Sequence, residues 1–261
     1  MRILDRIVDA LDPAPGDLVL EIGPGPGTLT ARLLARGLRV VAIEKDAALV
    51  RQCGTRNAEC GTGRLRVVEG DALRMDWHTL VDDGPAIPHS PFRIPHWKLV
   101  GNIPYNITSP LIAKALDPPW PERIVFLVQA EVAARLAAPP GGRAYGALSV
   151  GVQAACRVER LFTVRAGAFR PPPSVESAVV RLTPLPEPLV AAEDLGALRR
   201  FVTACFARRR KQLRNVLMAV WQRPAGDVVA ALERLGIDPA DRPETLEPAR
   251  FVALLRAGRR L

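Results

Sequence analysis

No uninterrupted apolar run of about eighteen residues occurs in the sequence, which excludes a spanning helix on length alone. The opening residues, Met1-Arg2-Ile3-Leu4-Asp5-Arg6, interleave charge with apolar side chains and lack a signal peptide's apolar block, so a cytoplasmic protein with no membrane partner is expected. Cysteine is scarce. Of the four, at 53, 60, 156 and 205, only Cys53 and Cys60 lie close together, at a spacing that matches no common zinc pattern. They read as reduced and mostly structural. Histidine is scarcer still: His78, His89 and His96 share one Pro-rich connection and form no H-x-x-x-H array, so no metal site is expected. Acidic residues are thin at one end. Between Leu195 and Leu261 there are 14 Lys and Arg against 6 Asp and Glu, a net +8 out of the whole chain's +9. So concentrated a basic segment favours a polyanionic partner, nucleic acid above all, over a solvated basic face.

What is present is ordinary for a folded protein: 261 residues, 48% hydrophobic and 24% charged, enough for one large domain or a large one with a small companion. Ile3, Leu4, Ile7, Val8 and Leu11 recur at helical spacing over 2–12, and Pro13, Pro15 and Gly16 end that helix. Apolar strands are expected at 18–22, 39–43, 65–69, 97–100 and 123–128. Helices are expected between them at 28–36, with Gly37 as C-cap, from about 47, at 109–116 and at 129–137. Residues 76–97 read as a surface loop without chemistry, and 147–155 and 174–182 as two β-rich apolar runs. Strands alternating with helices predict a mostly parallel sheet covered on both faces. Pro184-Leu185-Pro186-Glu187-Pro188 is a linker candidate, after which only helical patterns follow, at 195–207, 211–221, 227–235 and 248–256. The expected organisation is an α/β domain over 1–185 and a small, basic, all-helical domain over 186–261.

Gly23-Pro24-Gly25-Pro26-Gly27 follows the first strand and precedes a helix, the place where glycines let a backbone approach a nucleotide and a helix aims amides at it. Glu44 ends the second strand, where a carboxylate can accept from both hydroxyls of a ribose. Asp71 ends the third, positioned to accept from an adenine amino group, with the Ala72 amide toward a ring nitrogen. Helix capping could explain either acid alone but not the three features in order. An acid after each of two strands suits S-adenosylmethionine better than a dinucleotide, whose pyrophosphate would be repelled.

Asn102-Ile103-Pro104-Tyr105 follows the fourth strand. Methylation of a cytosine ring carbon requires a nucleophilic Cys, typically presented after Pro, and no Cys follows a Pro here. An exocyclic amine needs its two hydrogens accepted so that the lone pair turns out of the ring. The Asn102 side-chain oxygen and the Ile103 carbonyl, or one near it, can accept them, with Tyr105 stacking on the base. Catalysis would then be alignment for in-line displacement on a flipped or unpaired base. Phe169, ahead of Pro171-Pro172-Pro173, is either a second face of the base clamp or a packed strand-edge ring. Arg208-Arg209-Arg210-Lys211 and Arg214 are the best candidates for phosphate contact.

With these residues in view the chain resembles the ribosomal RNA adenine dimethyltransferases, in particular the bacterial small-subunit (16S) enzymes. The matching stretches begin with Glu21-Ile-Gly-Pro-Gly-Pro-Gly27, Ala42-Ile-Glu-Lys-Asp46, Gly70-Asp-Ala-Leu73 and Gly101-Asn-Ile-Pro-Tyr-Asn-Ile-Thr-Ser-Pro110. Further on are Gln129-x-Glu131, Ala144-Tyr-Gly146, Phe169-x-Pro-Pro-Pro173, Val175-Glu-Ser-Ala178, Phe206-x-Arg208 through Asn215, and Arg242-Pro-Glu-Thr-Leu246. The resemblance implies a Rossmann-like class I methyltransferase sheet with a helical C-terminal domain. It implies transfer of two methyls to each of two adjacent adenosines near the 3′ end of small-subunit rRNA, in the immature 30S subunit. It places Gly23, Glu44, Asp71 and Asn102 at the cofactor, to which the loop reading adds Gly25, Gly27 and Ala72, and it places Asn102, Pro104 and Tyr105 at the acceptor with Phe169 as a partner ring. A monomer is expected. The rivals are a large-subunit rRNA dimethyltransferase, against which Gln129-x-Glu131 and Ala144-Tyr145-Gly146 speak, and an rRNA-binding assembly factor with weak catalysis. The family's usual opening segment, of the form K-x-x-G-Q-x-F-L, has no counterpart: the chain starts at Arg2-Ile-Leu-Asp-Arg-Ile-Val, just after where it would end. A mis-called start codon, a truncation and a real loss are the three readings of this start. In the family that segment closes over the cofactor, so a real loss would weaken cofactor binding, and an artefact would change nothing.

Overall fold

The computed structural model describes residues 3–58, 63–82, 97–170 and 172–260. Its first part runs α1 (Ile3–Ala10), β1 (Leu18–Ile22), α2 (Thr28–Ala35), β2 (Arg39–Glu44), α3 (Ala47–Ala58), β3 (Leu65–Glu69), α4 (Trp77–Val81), β4 (Trp97–Asn102), α5 (Thr108–Ala115) and β5 (Arg123–Gln129). There follow α6 (Ala130–Leu136), α7 (Ala147–Gln153), β6 (Cys156–Val164), β7 (Ser177–Pro184), α8 (Leu195–Phe206), α9 (Leu213–Trp221), α10 (Ala225–Arg234) and α11 (Pro248–Gly258). The strands form one sheet in the order β3-β2-β1-β4-β5-β7-β6. Neighbours from β3 through β5 are parallel, and β7 pairs antiparallel with β5. Strands β1, β2, β4 and β5 are buried along nearly their whole length, which is why they read as unbroken apolar runs. On one face Ile7, Val8 and Leu11 join Leu29, Leu33 and Leu34 of α2 in a core with Val19, Val40, Ala42, Val100 and Val125. The expected α/β class and mostly parallel sheet are what the chain forms.

Three local expectations change. Residues 147–153, within the run 147–155, are helical, not extended. Ser149, Val150, Gly151 and Val152 are all buried, so the run has no polar face from which a period could be read. Ser149 Oγ accepts from the Gly146 amide at 3.0 Å and donates to the Arg135 carbonyl at 2.5 Å, which fixes the helix start. The neighbouring strand, β6, was not expected. It lies at the sheet edge, where charges are normal, and Glu159 holds Arg181 of β7 through two 2.9 Å hydrogen bonds. Within 76–97, residues 77–81 are helix α4, capped by Asp76 Oδ1 on the His78 amide, with Trp77, Leu80 and Val81 buried. His89, His96 and Cys60 lie outside the described residues.

The chain divides into two compact units, residues 1–133 with 159–184 and residues 134–158 with 185–261. The second takes in 134–158 as well as 185–261. Hydrogen bonds explain the addition. Gln153 Nε2 donates to the carbonyls of Leu136 and Ala138, the buried Tyr145 hydroxyl donates to the Leu246 carbonyl at 2.8 Å, and the Leu185 and Leu189 amides donate to Ala155 and Ala154. Residues 185–189 are thus tied down rather than a loose linker. Inside this unit the Tyr145 ring meets Phe206 edge-on, and Phe206 stacks on Phe251. Cys53, Cys156 and Cys205 are buried free thiols, and burial pushes Cys156 and Cys205 up to about 12, which makes them unreactive. Among the described residues no helix is long and apolar enough to cross a membrane, and no three His, Cys, Asp or Glu converge as a metal site.

Candidate functional site

Sheet register gathers the expected residues. Ile22 of β1 lies opposite Ile43 of β2 and Gly101 of β4, and Glu44 lies opposite Glu69 of β3. The residues that follow, Gly23, Glu44, Asp71 and Asn102, therefore emerge together at the C-terminal edge, where the strand order turns from β1 back to β2 and on to β4. In open α/β sheets ligands collect at such a switch. Gly101 permits the approach. A Cβ there would stand 2.8 Å from the Ile22 carbonyl and 2.7 Å from Ile103 Cδ1, so only glycine lets β4 run this close to β1.

Gly23, Gly25 and Gly27 all take left-handed backbone, with φ of 65°, 56° and 79°. A Cβ on Gly25 would meet nothing within 4 Å, so its glycine is needed for conformation, and the space above the loop is open to a ligand. At Gly27 there is no room: a Cβ would fall 2.5 Å from Asn57 Nδ2 and 3.0 Å from Cys53 Sγ. Glu44, buried at the end of β2, accepts at Oε1 from the amides of Lys45 (2.8 Å) and Asp46 (3.0 Å), and at Oε2 from the Gly25 amide (3.1 Å). A carboxylate offers about four acceptor sites, so one remains for a hydroxyl above the loop. The helix cap at this point is supplied by Asp46, whose Oδ1 accepts from the Ala48 and Leu49 amides.

Asp71 Oδ1 accepts from the Leu73 amide at 3.0 Å, and Oδ2 from Lys45 Nζ at 3.1 Å. The Leu73 amide first, and then Lys45, hold its carboxyl below the usual range, so it remains an acceptor. Ala72 is buried, and its carbonyl accepts from Trp77 Nε1 at 2.8 Å. Lys114 Nζ ties down the Leu73 and Met75 carbonyls from α5. The stretch expected to be a loop without chemistry therefore supports the shelf that Asp71 and Ala72 form. Two strand-end carboxylates beside a glycine loop fit a nucleoside with a ribose diol and an amino-bearing base.

Asn102 is exposed at the end of β4, and its carbonyl lies 3.9 Å from where a Gly23 Cβ would stand. Pro104, exposed, leads into a 3₁₀ turn over Tyr105–Ile107. Thr108 Oγ1 donates to the carbonyls of Pro104 (3.2 Å) and Tyr105 (3.3 Å), which holds the turn together. The half-buried Tyr105 ring reaches β7, where its hydroxyl and Ser177 Oγ share a 2.9 Å hydrogen bond. Phe169 follows a 3₁₀ turn over Ala166–Ala168 and packs half-buried against the core that Val19, Val40 and Val100 share with α1 and α2.

The basic segment divides. Arg208, Arg210, Lys211 and Arg214 are exposed. Arg209 is turned inward: it pairs with Glu244 and donates to the carbonyls of Arg143 (3.1 Å) and Gly142 (3.3 Å).

Glu21, Thr30, Thr108 and Ser177 stand at the site without a motif that marks them. Glu21 is buried in β1, and burial above all, with Glu44 adding to it, raises its carboxyl from 4.5 to about 7 against the lowering effect of the Thr30 hydroxyl, which donates at 2.7 Å. A single Glu inside Leu18-Val19-Leu20-Glu21-Ile22 was the available signal, since a lone acid in a buried strand carries a cost that function tends to explain. Ser177 gave none, for nothing in the sequence links it to a tyrosine 72 residues earlier.

Residues 1–256 match the family described as ribosomal RNA adenine dimethylase. Over 253 residues the chain is 42% identical to ribosomal RNA small subunit methyltransferase A of Pseudomonas aeruginosa, covering 97% of this chain and 88% of that one. The crystal structure of a dimethyladenosine transferase from Plasmodium falciparum superposes with a TM-score of 0.80 at 28% identity, covering 99% of this chain and 95% of that one. That of the 23S rRNA methyltransferase ErmE gives 0.70 at 26% identity, with 97% and 96% covered. The glycine loop, the two strand-end acids and the Asn102–Tyr105 turn sit within that matched span, and the chain belongs to the ribosomal RNA adenine dimethylase family.

Proposed function

We propose that this protein transfers two methyl groups to the exocyclic amine of each of two adjacent adenosines near the 3′ end of 16S rRNA. It would act on the immature 30S subunit, in the cytoplasm and as a monomer. The observation that carries the reading is the juxtaposition of Asn102 with Gly23 at the sheet's switch point, which sets an amine acceptor beside a nucleoside cradle. The 42% identity to a small-subunit methyltransferase supports the choice of RNA.

S-adenosylmethionine, when bound, supplies an activated methyl on a sulfonium. The chain's residues do the rest by position. Gly23 and Gly25 let the donor approach the loop's backbone, Gly27 lets that loop pack closely on Asn57 and Cys53, Glu44 accepts from the ribose, and Asp71 with the Ala72 amide reads the adenine edge. Asn102 Oδ1 accepts one hydrogen of the target amine and the Ile103 carbonyl the other. Thr108 and the Ile107 amide already engage the Pro104 carbonyl, which makes Ile103 the better acceptor of the two. Tyr105 stacks on the target base, Phe169 forms its second wall, and Pro104 fixes the turn between them. Because the amine must leave the base stack, the target is an unpaired or flipped adenosine. Arg208, Arg210, Lys211 and Arg214 take rRNA phosphates, while Arg209 braces the segment from within. Mapping the modified bases by mass spectrometry after treatment of immature 30S subunits and of unmodified 50S subunits tests the assignment. N6-dimethyladenosine at two adjacent 16S positions is expected; modification of large-subunit rRNA alone would overturn it.

A further inference from the structure

We infer that Ser177 is a positioning residue for methyl transfer, setting the plane of the Tyr105 ring through the hydrogen bond between the two hydroxyls. The inference rests on the reading of Tyr105 as the ring that receives the target base. Three observations carry it. Ser177 is 1% exposed, so its hydroxyl is withdrawn from solvent and bonds to Tyr105 without competition from bulk water. It is the first residue of β7 and lies opposite Gln129 in the antiparallel ladder with β5, while the Ala130 amide donates to the Glu176 carbonyl. Its backbone is therefore rigid. Tyr105, by contrast, sits on a single 3₁₀ turn and is only half-buried.

A tyrosine on a short turn can swing about its first side-chain torsion among staggered wells. Thr108 restrains the backbone end of this one, and Ser177 restrains the tip. A ring held at both ends offers a stacking face in one orientation before the base arrives, so less ordering is left for binding to supply. Such orientation matters most for the second transfer to each amine, because the nitrogen then already bears a methyl and must be realigned against the same ring. Loss of the Ser177 hydroxyl should therefore show in turnover and in product distribution more than in donor binding.

The test compares Ser177→Ala, Tyr105→Phe, their double variant and Tyr105→Ala, with immature 30S subunits as acceptor and S-adenosylhomocysteine as the probe of donor binding. Removing one hydrogen bond between uncharged groups is expected to lower kcat about five- to tenfold in Ser177→Ala. Tyr105→Phe should match it, and the double variant should be no slower than either. S-adenosylhomocysteine affinity should stay unchanged, and the share of monomethylated adenosine should rise. A wild-type rate and product ratio in Ser177→Ala, or additive losses in the double variant, would overturn the inference. Should Ser177→Ala fail to fold, Tyr105→Phe alone decides, since it removes the same bond without touching β7: a wild-type rate there overturns the inference. Tyr105→Ala separates the two levels. A large loss there with none in Ser177→Ala discards only the positioning role, whereas no loss in Tyr105→Ala discards the acceptor reading of Tyr105 and this inference with it.

Discussion

The Gly25 amide donates to Glu44 Oε2 at 3.1 Å, so the carboxylate proposed to receive a ribose also fixes the glycine loop beside it. Binding group and scaffold are one side chain. Glu44→Gln would set an amide donor against the backbone amides that Glu44 now accepts. S-adenosylhomocysteine affinity, measured by calorimetry, should fall about 10- to 100-fold, the range for losing hydrogen bonds to a charged group. An affinity within twofold of wild type would show that the ribose is held elsewhere.

Gly27 faces a different constraint. A side chain there meets Asn57 and Cys53 and must also adopt φ near 79°. Gly27→Ala should destabilise the fold by about 1–2 kcal/mol from the left-handed backbone alone, with the collision added. Pairing it with Asn57→Ala should recover the collision part. Chemical denaturation of both variants measures this, and equal stabilities would contradict it.

Glu21 gives a pH signature. Its carboxyl titrates near 7 when folded against 4.5 otherwise, so between those values the folded state binds the extra proton. Stability from this group is therefore present below about 4.5 and lost as pH rises to about 7, a difference on the order of 3 kcal/mol. Glu21→Gln mimics the protonated form and can still accept from Thr30. The stability difference, variant minus wild type, should be small at pH 5 and favour the variant at pH 8. A pH-independent difference would contradict the account.

Replacing Arg208, Arg210, Lys211 and Arg214 by Ser should weaken rRNA binding and flatten its salt dependence, by about 0.7–0.9 in log–log slope for each phosphate left without its cation. Arg209→Ala should behave otherwise. Its ties to Glu244, Gly142 and Arg143 are internal, so it should lower thermal stability. An unchanged salt slope in the fourfold variant would remove this segment from the interface.

Where each residue's environment is set by its neighbours in sequence, the chain could be read directly. Buried parallel strands announce themselves as apolar runs, and a strand's last residue names what stands at its edge, so Gly23, Glu44, Asp71 and Asn102 were legible together. Residues 147–153 were not, because a helix buried on every side has no amphipathic period. β6 alternates charge with apolar residues as an edge strand and resembles an exposed connection. The Tyr105–Ser177 and Arg209–Glu244 pairs join residues 72 and 35 apart, and only tertiary structure brings them together.

The most direct test of the central claim is methyl transfer from labelled S-adenosylmethionine into immature 30S subunits by Asn102→Ala. Its thermal stability should match wild type, because the Asn102 side chain is exposed at the end of β4. Removing an acceptor that acts on the amine at the reacting geometry should cost about 100-fold or more in kcat, as for other groups aimed at the transition state. Incorporation at the wild-type rate would contradict the account.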